Sequence, residues 1–382
     1  MRSEVTESSA ECLHTDLTLW EVGPYHGMLP GPMRLRLRLD GEIVVHGEFE
    51  TGYLHRGLEK CFEQQPWRTV VPYADHLDPE AAVFGELALC MAVEEIGAIA
   101  VPPRAQTIRI LLSELSRISA HLIYMVRVAR AVGSETMVHY VLRDREKILD
   151  LFELLAGARF SLNFLRFGGV RADVTEGFIE RVLEVGDLIR LRLKEYNDLF
   201  TFNRAFLKRA ANVGVITQEA VRRLGVTGPN ARAAGIAWDI RKTQPYTAYE
   251  LFDFEIPQGR GQFGTRGDAH DRFLLRLREI SQSLEILKQA ADFIPKGIFH
   301  SEKFDPSAVL PPGEAYSRIE SSRGLLGCHV VSDGSDKPCR VQFRTPSLAN
   351  ISLIPELVEG VRIEDLPLIL ASLDISISEV DR

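Results

Sequence analysis

Paired cysteines are missing from this sequence: Cys12, Cys61, Cys90, Cys328 and Cys339 stand singly, and no CxxC occurs. A zinc ribbon or a chain-borne iron–sulfur cluster therefore has no signal. An odd number of scattered cysteines predicts free, mostly buried thiols. Long apolar runs are absent too. The most continuous, residues 88–93, is broken at once by Glu94 and Glu95, far short of the roughly 18 residues that span a bilayer. The opening MRSEVTESSAEC carries acids and no apolar core, so it does not read as a secretory signal. These absences predict a soluble, cytoplasmic protein. Basic residues are in deficit, 45 against 53 acidic, for a net charge of −8. That balance argues against nucleic acid as a partner without excluding a local basic patch.

What is present is an ordinary globular composition, 45% hydrophobic and 26% charged, with mean hydropathy −0.03. Near the start, Leu35, Leu37 and Leu39 alternate with Arg34, Arg36 and Arg38 before Asp40-Gly41. Period-two alternation around Asp-Gly predicts a β-hairpin, its arginines a solvated face or a subunit interface. The Gly/Pro-rich stretch 23–32 before it reads as a connection or the wall of a site.

The centre is helical. Asp78-Pro79-Glu80 reads as N-cap, first helical residue and first-turn acid of a helix over 78–92. From Thr107, Ile108, Leu111, Leu115, Ile118, Leu122 and Val126 recur at three and four, a helix of about six turns. A third helix is predicted from about Asp144, with Ile148, Leu151, Leu154 and Leu155 on its apolar face. A fourth starts at a capping-box-like Asp173/Glu176 and runs to Leu199. A fifth starts near Ala269, with Phe273, Leu277, Ile280, Leu284 and Leu287 on one face. Such facing stripes imply a bundle core. A hairpin is expected around 333–338. No repeat or long linker interrupts the chain. The expectation is an α+β fold in a single domain over 1–382: an N-terminal β region and Gly/Pro loop (1–60), a helical bundle (61–215), a Gly/Pro-rich connection (216–265), and a helix plus mixed C-terminal region (266–382).

Several segments together carry a resemblance: LRLDGE (37–42), GYLHRGLEK (52–60), VPPRAQTIRILLSELSRISAHL (101–122), REKILDLFELLAGAR (145–159), TGPNARAAGIAWDIR (227–241), PYTAYELFDFEIP (245–257), GDAHDRFLLRLREISQSL (267–284), GEAYSRIESSRGLLG (313–327) and the tail LDISISEVDR (373–382). In this order, nearly end to end, they resemble the D-type core subunit of the proton-pumping NADH:quinone oxidoreductases (respiratory complex I). That family is related to the large subunit of nickel–iron hydrogenases. The resemblance implies a hydrogenase-large-subunit-like fold acting only in an assembly peripheral to the cytoplasmic face of the cell membrane. It further implies that this chain binds no cofactor itself. Its partners would be a small subunit carrying the terminal iron–sulfur cluster, other peripheral-arm subunits and a membrane arm. NAD would react at a distant subunit, and quinone would enter between this chain and the cluster subunit. A nickel site would need two CxxC pairs; where the second belongs, the tail reads Asp374-Ile375-Ser376-Ile377-Ser378.

The same resemblance locates departures. The family loop reads Gly-Pro-x-His-Pro-x-x-His-Gly; Gly23, Pro24, His26 and Gly31 match, but Pro30 stands where the second His, the expected quinone donor, belongs. Pro79 replaces the co-donor Tyr, Ala131 the Asp that pairs with that His, Ser161 a further His, and His76 an Arg. Proline offers neither a side-chain donor nor an N–H. Each lost hydrogen bond to a carbonyl gaining charge costs on the order of 1.5–3 kcal/mol, and a lost proton donor roughly 10²–10⁴ in rate. The customary quinone chemistry is therefore expected to be absent. His26 is the candidate replacement proton donor, against a solvated or structural loop His. Gly31, His55, Arg56 and His76 are the other crevice or cluster-facing candidates, Arg56 against simple salt bridging. His121 reads as a satisfied interior histidine, Asp268, Asp271 and Arg272 as a helix-start cluster, and Glu320 with Arg323 as a structural pair. Asp75 and Asp78 beside His76 carry only a weak metal or acid–base signal. Asp381-Arg382 is expected to be buried. Two alternatives stay open: a non-catalytic scaffold, and a complex-I-like machine with a different electron donor or acceptor. A working quinone pocket predicts an apolar crevice from 26–31 toward Arg56; a scaffold predicts that Pro30 and Pro79 close it.

Overall fold

The computed structural model describes residues 17–301 and 309–382; Cys12 and the N-terminal segment discussed above lie outside them. Alternation builds the first sheet. Strands β2 (Arg34–Asp40) and β3 (Ile43–Glu50) form the expected antiparallel hairpin, with Leu35, Leu37 and Leu39 buried. On the outer face Arg36 pairs with Glu21 at 2.9 Å and Glu50 at 3.0 Å. An unexpected third strand, β1 (Thr18–Val22), pairs with β2 from Thr18↔Leu39 to Val22↔Leu35. The stretch 23–32 connects β1 to β2.

Five long helices form the bundle: α1 (Ala82–Ile96), α2 (Pro103–Ala131), α3 (Glu135–Ala156), α4 (Phe178–Tyr196) and α5 (Ala269–Asp292). Helix α2 packs on α3 and α5, and α4 packs on both of those. The periodic residues of α2 and α5 are all buried, whereas Leu154 of α3 faces solvent. Asp268 caps α5 by accepting the Asp271 N–H at 2.8 Å.

Three local expectations are corrected. Asp78 is not an N-cap: α1 begins at Ala82 without a side-chain cap, and the Asp78 carboxylate is buried against Arg323. Asp173 does not cap α4; it accepts from Arg104 and the Val174 N–H, each at 2.8 Å. Glu320 pairs with Arg232 at 2.6 Å, while Arg323 turns to Asp78 and Glu80. In each case a distant side chain offers an ion pair, which outweighs the local arrangement.

The C-terminal region supplies an antiparallel sheet, β4 (Gly313–Glu320), β5 (Leu325–Ser332) and β6 (Arg340–Arg344). It packs on α1, and β5 and β6 flank the expected turn. The fold is α+β. The bundle and this sheet share one apolar core. A second core lies between the N-terminal sheet and short C-terminal helices, including α6 (Leu366–Leu373) and α7 (Ile377–Asp381). Helix α6 also packs on α2, which brings the 23–32 loop to the end of α2. Among the described residues no helix is long and apolar enough to cross a membrane.

Candidate functional site

The 23–32 loop walls a cavity of about 510 Å³. Gly27, Met28, Leu29 and Pro30 form one side, Arg127, Arg130 and Ala131 of α2 another, and Pro367, Leu370, Ala371, Asp374 and Ile375 the rest. Pro30 and Ala131 thus share one cavity. Neither has a side-chain hydrogen-bonding atom. The polar groups here are ones the sequence analysis missed: Arg127 donates to Asp374 at 3.0 Å and also bonds Glu80. Of these only the arginines carried a signal, the Arg127–Arg130 spacing at the end of α2, which puts successive turns of one helix on the same wall.

His26 lies outside the lining of this cavity. It is exposed, and its Nδ1 accepts the Met28 N–H at 3.3 Å. In the neutral ring Nε2 then carries the proton. Gly31 is not a lining residue either; a Cβ there would come within 2.9 Å of Ile377, so glycine is what lets the loop seat on α7.

Pro79 and Ser161 line a different, much smaller cleft of about 20 Å³, with Glu80, Ser116, Ser119 and Arg145. Of the departures that the resemblance implies, Pro30 and Ala131 come together and Pro79 does not. Glu80 bridges the two places, since it lines the small cleft and bonds Arg127, which lines the large one.

His55, Arg56 and His76 are exposed and meet at the C-terminal tail. The Asp381 carboxylate accepts the N–H groups of Gly52 and Leu54, each at 2.8 Å. His55 Nδ1 lies 2.7 Å from the Asp381 carbonyl oxygen. Arg56 donates to the His76 carbonyl at 2.8 Å and to Ser378 Oγ at 2.9 Å. Asp381 is buried as expected, and Arg382 is half-buried. None of the three lines the large cavity.

Behind this cluster lies a buried charge layer. Asp78 contacts Arg323 and accepts from Ser376 at 3.2 Å, and Arg323 also bonds Glu80 at 2.6 Å. Glu379 accepts from Ser347 at 2.5 Å; burial, then the nearby Asp78 carboxylate, push its carboxyl up to about 8. Farther into the bundle His121 Nε2 meets Glu279 at 2.9 Å, while its Nδ1 is buried without a partner. Only one of its nitrogens is satisfied, and burial lowers its pKa. Asp75 accepts the Asn163 N–H at 2.9 Å, a structural role. Cys90 and Cys328 are buried, Cys61 half-buried and Cys339 exposed, all free thiols. Among the described residues no group of three or more His, Cys, Asp or Glu is arranged to hold a metal.

The family model for the respiratory-chain NADH dehydrogenase, 49 Kd subunit, matches residues 131–309 and 298–382. The D-type subunit of NADH-quinone oxidoreductase from Desulforamulus reducens is 43% identical over 370 residues, covering 97% of this chain and 99% of that protein. The chain belongs to this family. Its counterpart in Bacillus mycoides is 39% identical over 369 residues, 97% of this chain and all of that protein. A D-type subunit of Solibacter usitatus, the one numbered 2, is 40% identical over 369, 96% and 98% of the two chains.

Proposed function

We propose that this chain is the D-type core subunit of a complex-I-type NADH:quinone oxidoreductase in which the customary pair of quinone donors is gone. Family membership supports the first part, as do the curated relatives matched over nearly their whole length. The second part rests on one observation: Pro30 and Ala131 face the same 510 Å³ cavity and bring no proton donor to it. An acceptor there would meet apolar loop residues and the guanidinium groups of Arg127 and Arg130. These can stabilise charge developing on an oxygen but cannot deliver a proton, since arginine stays protonated. Protons would have to come from water entering the cavity mouth.

The rest of the machinery follows the same reading. A small partner subunit carrying the terminal iron–sulfur cluster would face the exposed His55, Arg56 and His76, where cations raise a cluster's potential. This chain holds no cofactor of its own, NAD reacts at a distant subunit, and the assembly sits at the cytoplasmic face of the membrane. A scaffold role is the rival, favoured by the near closure of the Pro79 cleft to about 20 Å³. The test is NADH- or ferredoxin-driven quinone reduction by the purified complex. Wild type and His26→Ala should turn over slowly and alike, because His26 lies outside the cavity. Pro30→His with Ala131→Asp should raise turnover at least about tenfold, toward the roughly 10²–10⁴ a positioned donor supplies. Full inhibitor-sensitive turnover in wild type overturns the lost-donor reading. No gain in the double variant favours the scaffold.

A further inference from the structure

A buried cation without a counter-ion is costly unless something pairs with it. Arg145 of α3 is such a group. It is 7% exposed, and among the described residues its side chain makes no ion pair or hydrogen bond. Its Nε is buried and unpartnered, and the guanidinium carbon lies 5.6 Å from the centroid of the Phe160 ring. Burial lowers its pKa, and the Glu80 and Glu146 charges nearby only partly offset that.

Arg145 lines the small cleft, and two more donors converge there. The Ser119 hydroxyl is buried with no partner, and Ser116 lies one turn before it on α2. Ala82 and Val83 bring the first turn of α1, a helix of 15 residues with no side-chain cap. The Ala81 N–H goes to the Asp78 carbonyl and the Phe84 N–H to the Ala81 carbonyl, which leaves those of Ala82 and Val83 at the positive end of the helix dipole. The other charged groups at the cleft are already matched. The two oxygens of Glu80 go to Arg127 and Arg323, and Arg159 is held by Glu146, Asp150 and Glu153. Arg145 is the cation at the cleft that makes no direct ion pair or hydrogen bond among the described residues.

We propose that this cleft is a site for a small monovalent inorganic anion of chloride size, held by Arg145, Ser119 and the first turn of α1. The space of about 20 Å³ exceeds the roughly 10–15 Å³ that one water needs and is too small for an organic acid. The bound ion neutralises Arg145 and caps α1. It also places a negative charge beside Glu80, one ion pair away from the wall of the large cavity.

Two measurements on the full chain test this. Titrating chloride against gluconate at constant ionic strength should raise the thermal midpoint of wild type saturably, by roughly 2–4 °C. Arg145→Met should abolish the rise, and Ser119→Ala should shift it to higher chloride. In crystals soaked with bromide, an anomalous peak should lie within hydrogen-bonding reach of Arg145 and Ser119. An equal chloride response in wild type and Arg145→Met overturns the proposal. So does an ordered water with no anomalous signal at the site. Should Arg145→Met fail to fold, the bromide map of wild type and the Ser119→Ala titration decide.

Discussion

Glu379 lies in α7, two residues before its end, buried between Ser347 and the Asp78–Arg323 pair. Burial, then the Asp78 charge, raise its carboxyl to about 8 from a reference of 4.5, against the pull of Arg323 and the Ser347 hydroxyl. Between those two values the folded protein binds a proton that the unfolded chain has released. Stability therefore falls as pH rises through that window. Glu379→Gln keeps the shape and the hydrogen-bonding capacity while removing the titration. Denaturant midpoints measured from pH 5 to 9 should decline for wild type and stay flatter for the variant. Parallel declines would show that the group does not govern the alkaline limb. Such a residue is invisible in the sequence: Glu379 sits in an ordinary tail, and its environment comes from Asp78, Arg323 and Ser347, all distant in the chain.

At the level of elements, the long helices were legible because their apolar stripes obey a single period over many turns, as in α2 and α5. Their starts were less so. Asp78 and Asp173 look like caps, but each is claimed by an arginine far away in sequence, and no local pattern encodes that. Strand β1 was missed because it is mostly exposed, with only Val22 buried, so its alternation carries no signal. Of the candidate site, the shared place of Pro30 and Ala131 could be read from the family resemblance. Asp374, whose Arg127 partner lies 247 residues away, could not. The bundle has its own polar element in Glu114, which meets Arg117, Arg241, Ser283 and Tyr249. Burial alone would raise its pKa, but Arg117 and Arg241 outweigh that and bring it down to about 2. Asp239 is held at about 2 in the same way, burial being outweighed by Arg241 and Arg232. A depressed carboxylate stabilises the fold above its unfolded value and loses that contribution as pH falls through the folded one. Acid unfolding followed by circular dichroism should accordingly steepen between about pH 4.5 and 2. Glu114→Gln should cost about 3–5 kcal/mol at neutral pH by leaving two buried arginines uncompensated, and should shrink that acid limb. Little change at neutral pH would mean the two arginines find other acceptors. The tail α7 acts as a clamp through Asp381. Asp381→Ala removes the acceptor for Gly52 and Leu54, so hydrogen exchange at those two amides should accelerate while α2 and α5 keep their protection.

Across the whole molecule, the two apolar cores are joined by a layer of charge with Arg323 at its centre. Arg323 belongs to the turn between β4 and β5, in the bundle core. It reaches Asp78 and Glu80 ahead of α1 and donates to the Asp374 carbonyl at 3.0 Å in the tail of the second core. Asp374 in turn holds Arg127 on the wall of the large cavity. The exposed His55–Arg56–His76 surface, the tail and the cavity are thus tied to one another through polar contacts, while apolar packing stabilises each core separately. Apolar packing is non-directional, so it tolerates small shifts; the ion pairs fix how the cores are set against each other. Arg323→Met keeps much of the side-chain volume and leaves Asp78, Glu80 and Asp374 without their common partner. The expected loss is about 3–5 kcal/mol, unevenly distributed. Exchange should speed up in the tail, at Gly52 and Leu54 and across β1–β3, with the central turns of α2 and α5 nearly unchanged. A uniform loss of protection over both cores would mean that they unfold as one unit, with Arg323 contributing only to global stability. A selective loss would identify the charge layer as the seam that positions the cavity against the tail-borne surface.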